Sequence, residues 1–256
     1  MSGINYRLDE FIPPEDRRSL LVDTSAGLAL GALPGLEAFT PGVRPALQHA
    51  DGVVCSPGQL RRLEPRTRGQ AGVLARMDWT NTLRGQDFVL QPEQARRVSV
   101  LSAQDARALG ACGMVASFLL GYEEEIEAAS LLATVQLALA GKDLGLPLVV
   151  EVCPTGPRIT LYGKAVELAV SYALEGGADV IVFPNPGPAS LETIAAFASV
   201  PWLMKAGSLE TAQADLETAL AAGGAGLWLD HTVFARPGLA EHLGALHARL
   251  HSAEVR

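Results

Sequence analysis

Eight short apolar runs recur along the chain, each followed by a turn and then by a stretch of helical period. They are SLLVDTSA (19–26), GVVCSP (52–57), GVLARMDW (72–79), GMVASFLL (113–120), PLVVEVCP (147–154), DVIVFPN (179–185), PWLMKAG (201–207) and GLWLDHT (226–232). Rich in Val, Leu and Ile, they read as strands covered on both faces. The segments between them are amphipathic. In SAQDARALGA, Ser102 suits an N-cap, with Asp105 in the first turn. In YEEEIEAASLLATVQLALAGKDLG the acids stand first, Lys142 near the end and Gly145 beyond it, matching the helix dipole and a glycine stop. LYGKAVELAVSYALEGGA and SLETAQADLETALAAGGA both end on Gly-Gly-Ala and lead straight into the next run. Eight such units in 256 residues predict an α/β chain folded as a single-domain (β/α)8 TIM barrel. The barrel is expected over residues 19–256, with residues 1–18 as an N-terminal extension packed against it. An open doubly wound sheet would want G-x-G-x-x-G after its first strand, and DTSAGLALGALPG lacks that order.

Composition narrows the partners. A net charge of -8 argues against a nucleic-acid surface, which needs clustered Lys and Arg. No apolar run reaches the ~18 residues of a membrane span, so no membrane association is expected. The start, MSGINYRLDEF, lacks the basic and apolar stretches of a signal peptide. Cys55, Cys112 and Cys153 are widely spaced within apolar segments, which suits reduced thiols in a cytoplasmic protein and offers no zinc spacing. No cofactor and no metal are expected. The partner expected is a small-molecule substrate, with the chain acting as a homo-oligomer.

Barrel enzymes carry their chemistry at the C-terminal ends of the strands. There the chain offers Asp23, Ser56, Arg76 with Asp78, Ser117, Glu151, Asn185, Lys205, and Asp230 with His231. Asp23, Asp78 and Asn185 also read as turn formers, and Ser56 and Ser117 as small polar residues satisfied by backbone. Glu151 is different, because LVVEVCP is apolar on both sides and a carboxylate there needs a partner. Arg76 and Lys205 are the candidates, and a structural ion pair is the bland reading. The chain has three lysines against seventeen arginines. Lys142 belongs to a helix end and Lys164 to an amphipathic helix, which leaves Lys205 as the lysine of the barrel mouth. With its pKa lowered by burial and by Arg76, its amine would attack a carbonyl and form a Schiff base, while Asp23, Asp78 or Glu151 moved protons during carbon–carbon cleavage. A metal centre would need Asp78, Glu151 and His231 to converge.

These residues carry a resemblance. LLVDTSAGLALGALPGLEAF, VLARMDWTNTLRG, LGACGMVASFLLGYEEEIEAA, LGLPLVVEVCPTGP and EGGADVIVFPNPG are similar, in order, to segments of class I aldolases grouped with deoxyribose-phosphate aldolase, especially the archaeal-type fructose-bisphosphate aldolases. The resemblance makes Asp23 the counterpart of a catalytic-site aspartate. It places the Schiff-base lysine three residues after Gly-Ala-Asp, where this chain has Val182, and a proton-transferring tyrosine where it has Leu119. A phosphate-binding Gly-Gly has become Gly207-Ser208, and a Gly-Arg has become Asp230-His231. The context KAGS resembles that of a second, assisting lysine, so Lys205 is a relocated nucleophile or the remnant of a lost site. The expected function is an aldolase-like carbon–carbon lyase acting on a small oxo or sugar-type compound. Lys205, Asp23, Asp78 and Glu151 would be catalytic, and Arg76, Asn185, Gly207, Ser208, Asp230 and His231 would bind substrate. The alternative is a catalytically silent barrel that binds a metabolite or partner. Amides at Gly207 and Ser208 would hold at most one phosphate, and Asp230 would repel a second.

Overall fold

The computed structural model describes residues 3–63 and 71–252. Eight parallel strands close into a barrel in the order β1 (Ser19–Asp23), β10 (Gly226–Leu229), β9 (Trp202–Lys205), β8 (Val180–Pro184), β7 (Leu148–Pro154), β6 (Gly113–Leu120), β3 (Gly72–Arg76) and β2 (Gly52–Cys55). They coincide with the eight apolar runs. Two further strands, β4 (Asp78–Thr80) and β5 (Arg97–Ser99), form an antiparallel pair directly after β3. Helices α3 (Phe39–His49), α6 (Glu124–Leu144), α7 (Tyr162–Glu175), α8 (Pro188–Phe197), α9 (Ala212–Ala221) and α10 (Leu239–Ser252) make most of the outer layer. The capping chemistry is the one the sequence suggests. Ser102 accepts from the Asp105 amide, and Gly145 closes α6 in the left-handed region at φ 67°.

Alternation along each strand separates two cores. One, led by Val22, Val53, Val150, Ile181, Met204 and Leu227, packs the sheet against the helices. The other fills the barrel itself with Leu21, Val54, Leu74, Val115, Val149, Val182, Leu203 and Trp228. The interior is plugged from below. Leu8, at the end of α1 (Gly3–Leu8), is buried with Phe11 and Ile12, the last two fully, in that inner core. Glycines at strand starts make room for Phe11. A Cβ on Gly72 would lie 2.7 Å from the Glu10 carbonyl oxygen and 2.9 Å from Phe11 Cβ.

Candidate active site

The inner parity that buries Leu21, Leu74, Val115, Val149 and Leu203 carries two residues onward to Asp23, Arg76, Ser117, Glu151 and Lys205. Each strand therefore turns polar at its C-terminal end while still facing inward. Asp23, Arg76, Asp78, Ser117, Glu151, Lys205, Asp230 and His231 line one cavity of about 60 Å3. Trp228 lies beneath it, its ring centre 5.7 Å from the Arg76 guanidinium carbon. Leu28 and Ala29, from the short helix α2 (Gly27–Leu30), and Leu83 narrow the opening.

Arg76 organises the interior of the site. Its guanidinium lies 2.7 Å from Asp23 Oδ2 and 2.8 Å from Glu151 Oε2, and it donates to Ser25 Oγ at 3.0 Å and Ser117 Oγ at 3.3 Å. Asp23 Oδ1 accepts from the Ser25 amide and hydroxyl. Asp78 accepts from Arg97 Nε at 2.8 Å and from the Ser117 amide at 2.8 Å. Lys205 Nζ points into the cavity and donates to Glu151 Oε1 at 2.8 Å. Its side chain keeps 25% of its exposure while that of Glu151 keeps 6%.

This geometry reverses the expected tuning of Lys205. Burial pushes its ammonium down, but the adjoining Glu151 carboxylate outweighs that and holds it above the ordinary lysine range. Burial likewise pushes Glu151 up, and the Lys205 and Arg76 cations overcome it and hold the carboxyl at about 2. Arg76 also stays charged, burial being outweighed by Asp23, Glu151 and Asp78. Arg76 does not depress Lys205 directly, as its place at a strand end of the same barrel suggests it should. Glu151 stands against both cations instead, so the resting amine is an ammonium.

Three expected contributors lie apart from this cavity. Asn185 is exposed after β8, its Oδ1 accepting from the Gly187 amide. The Gly207 amide donates to Asp215 Oδ2 at 3.2 Å and the Ser208 amide to Thr211 Oγ1 at 3.2 Å, so neither donor is open to a phosphate. Ser56 has the bland role, in a capping box with Gln59 that starts α4 (Pro57–Arg62). Ser25, Arg97 and Trp228 were not among the expected residues. Arg97 arrives through the β4–β5 pairing, for which a single strand at 72–79 left no signal.

Asp78, Glu151 and His231 do share the cavity, which bears on metal binding. Asp23, Asp78 and Glu151 are matched by Arg76, Arg97 and Lys205. Three acids against three cations leave no unpaired carboxylate among them for a divalent ion. Val182, where the resemblance puts the Schiff-base lysine, is fully buried in the barrel interior and in register with Glu151. Leu119 is fully buried as well.

No family model matches the chain. It is 26% identical over 258 residues to the 3-hydroxy-5-phosphonooxypentane-2,4-dione thiolase of Salmonella typhimurium, covering 99% of this chain and 84% of that protein. The enzyme of the same name from Yersinia pseudotuberculosis is 27% identical over 257 residues, covering 98% and 84%. Among solved structures, a Schiff-base-forming fructose-1,6-bisphosphate aldolase superposes with a TM-score of 0.80 at 21% identity, covering 96% of this chain and 99% of that one. A fructose-bisphosphate aldolase from Slackia heliotrinireducens gives a TM-score of 0.77 at 17% identity, covering 100% and 89%. The chain thus shares, along its whole barrel, the fold of these fructose-bisphosphate aldolases.

Proposed function

We propose that the protein is an aldolase-like carbon–carbon lyase acting on a small oxo compound through a Schiff base on Lys205. The observation that carries this reading is the Lys205 amine inside a strand-end cavity together with Asp23, Asp78, Glu151 and His231. The names of the relatives, a thiolase of a phosphorylated dione and Schiff-base aldolases, support the same class of reaction. The ammonium first gives up a proton to water in the cavity mouth, and the free Nζ adds to the substrate carbonyl to give a neutral carbinolamine. A proton returned from that water to the carbinolamine hydroxyl lets it leave as water, and an iminium cation stands beside Glu151, in the place the ammonium held. Glu151 therefore acts as the counter-charge, since its low pKa makes it a poor base. Asp23 takes the proton of the substrate hydroxyl as the carbon–carbon bond breaks and its electrons move toward the iminium. The enamine that forms is then protonated, and water hydrolyses the new iminium to release the second product. The cavity is far below the ~300–1,000 Å3 of most ligand pockets, so the substrate is small or α2 and Leu83 move aside.

The test is borohydride trapping with a panel of small aldehydes and ketones, followed by intact mass and peptide mapping. A reduced adduct on Lys205 is expected, absent in Lys205→Met. Because Glu151 keeps the amine protonated well above neutral pH, the trapping rate should climb steadily from pH 7 to pH 10 with no plateau. An adduct on another residue would remove Lys205 from its role. No adduct with any carbonyl would favour the second reading, a silent binding barrel. That reading rests on the neutralised state of Lys205, paired at 2.8 Å with Glu151.

We also take the working form to be a cytoplasmic homo-oligomer. Among the described residues no helix is long and apolar enough to cross a membrane. Leu131, Leu132 and Leu139 of α6, with Leu168 and Tyr172 of α7 and Phe197 of α8, remain exposed on the outer layer and suit contact with another copy. A single-chain mass by light scattering would exclude it.

A further inference from the structure

At the opposite end of the barrel, α10 brings two histidines over the start of β2. His247 and His251 are four residues apart and so share one face of the helix. His247 Nε2 lies 3.3 Å from Asp51 Oδ1, and His251 Nε2 lies 3.2 Å from Asp51 Oδ2. Asp51 is held in place by the Leu20 amide, which donates to Oδ2 at 2.7 Å. The other nitrogen of His251, Nδ1, lies 2.7 Å from Asp16 Oδ2. Among the described residues this is the one group of three or more His, Cys, Asp or Glu side chains whose ligand atoms all lie within 4.8 Å of one another.

We propose that Asp51, His247 and His251 form a zinc-type metal site on the N-terminal face, with Asp16 orienting His251. Bonds of ~2.0–2.1 Å in a tetrahedral site set neighbouring ligand atoms about 3.3 Å apart, close to the 3.3 Å and 3.2 Å that separate the two imidazole nitrogens from the two different oxygens of Asp51. Two imidazoles and a carboxylate are a donor set suited to zinc. With the His251 Nδ1–H donated to Asp16, the Nε2 lone pair is left for an ion held between His251 and Asp51, which is the carboxylate–histidine–metal arrangement. The rings of the two histidines approach to 4.3 Å between centres. His247 keeps 39% of its side-chain exposure, which leaves a way in for the ion and a fourth position for water. The site joins three segments, the N-terminal extension through Asp16, the start of β2 through Asp51, and α10.

The test uses the full-length chain without a histidine tag, stripped with chelator and titrated with Zn2+ by calorimetry and thermal melting at pH 8. One ion per chain is expected, with a rise in melting temperature that chelator reverses. His247→Gln should weaken binding at least tenfold and shrink the rise at a given Zn2+ concentration while leaving the metal-free melting temperature near wild type, because the residue is partly exposed. Asp16→Asn, which removes no direct ligand, should weaken binding about 10–100-fold. Failure of the wild type to bind one equivalent, or wild-type affinity in His247→Gln, overturns the site and leaves only ion pairs. Neither result depends on the reading of Lys205.

Discussion

Lys205 and Arg76 each neutralise one oxygen of Glu151, yet their removal has different consequences. Lys205→Met leaves Glu151 with Arg76 at 2.8 Å, and a quarter of the lysine side chain was already in water. Its cost should fall below the about 3–5 kcal/mol of stranding a buried charge. Arg76→Met leaves Asp23 with only Ser25 and removes the cation that joins four strand ends, so it should reach that range. Urea unfolding of the two variants compares them directly. An equal or larger loss for Lys205→Met would make Lys205 the structural cation and weaken its assignment as a nucleophile. Much at this scale was legible in the sequence. Each of Asp23, Arg76, Glu151 and Lys205 extends an inward-facing parity that can be counted along its own strand. Which carboxylate lies between which cations cannot be counted that way, since it depends on three strands meeting, and so the direction of the Lys205 shift was misread.

At the scale of elements, the barrel was legible because each strand–helix unit repeats the same pattern and every unit is local. The β4–β5 pair was not, because Asp78 and Ser99 pair across a long, polar connection with little periodicity. Arg97, which neutralises Asp78, was lost with it. The sequence placed the N-terminal segment against the barrel, but nothing in MSGINYRLDEF announced a plug. Phe11 looks like any apolar residue until the glycines of β2, β3 and β6 leave space for it. Phe11→Ala should cost about 3–5 kcal/mol, the range for a fully buried aromatic. Tyr6→Ala, on the same segment but 71% exposed, should stay within about 0.5 kcal/mol. Denaturant midpoints report both. Two near-neutral variants would mean that the segment is an appendage and that the inner core closes without it.

The charge of the whole molecule bears on the substrate. Acids outnumber bases to a net -8, and the protein supplies its own carboxylate where the resemblance puts a phosphate. Asp215 takes the Gly207 amide, Thr211 takes the Ser208 amide, and Asp230 stands at the cavity close enough to act on Lys205. A phosphate dianion would have to displace one carboxylate and sit beside another, with Arg236 already paired to Glu210. Fructose 1,6-bisphosphate should therefore bind with a Kd of about 1 mM or weaker, equivalent to about -4 kcal/mol. Calorimetry at low and at physiological ionic strength is the measurement, because salt screens the repulsion by these carboxylates as well as any attraction. Asp215→Asn provides the companion, since removing the internal anion while keeping the side-chain shape should improve phosphate affinity if Asp215 is the block. Wild-type binding at about 1 μM or tighter would mean that the loops after β9 and β10 rearrange to expose their amides, and the substrate of this barrel would then be a phosphorylated one.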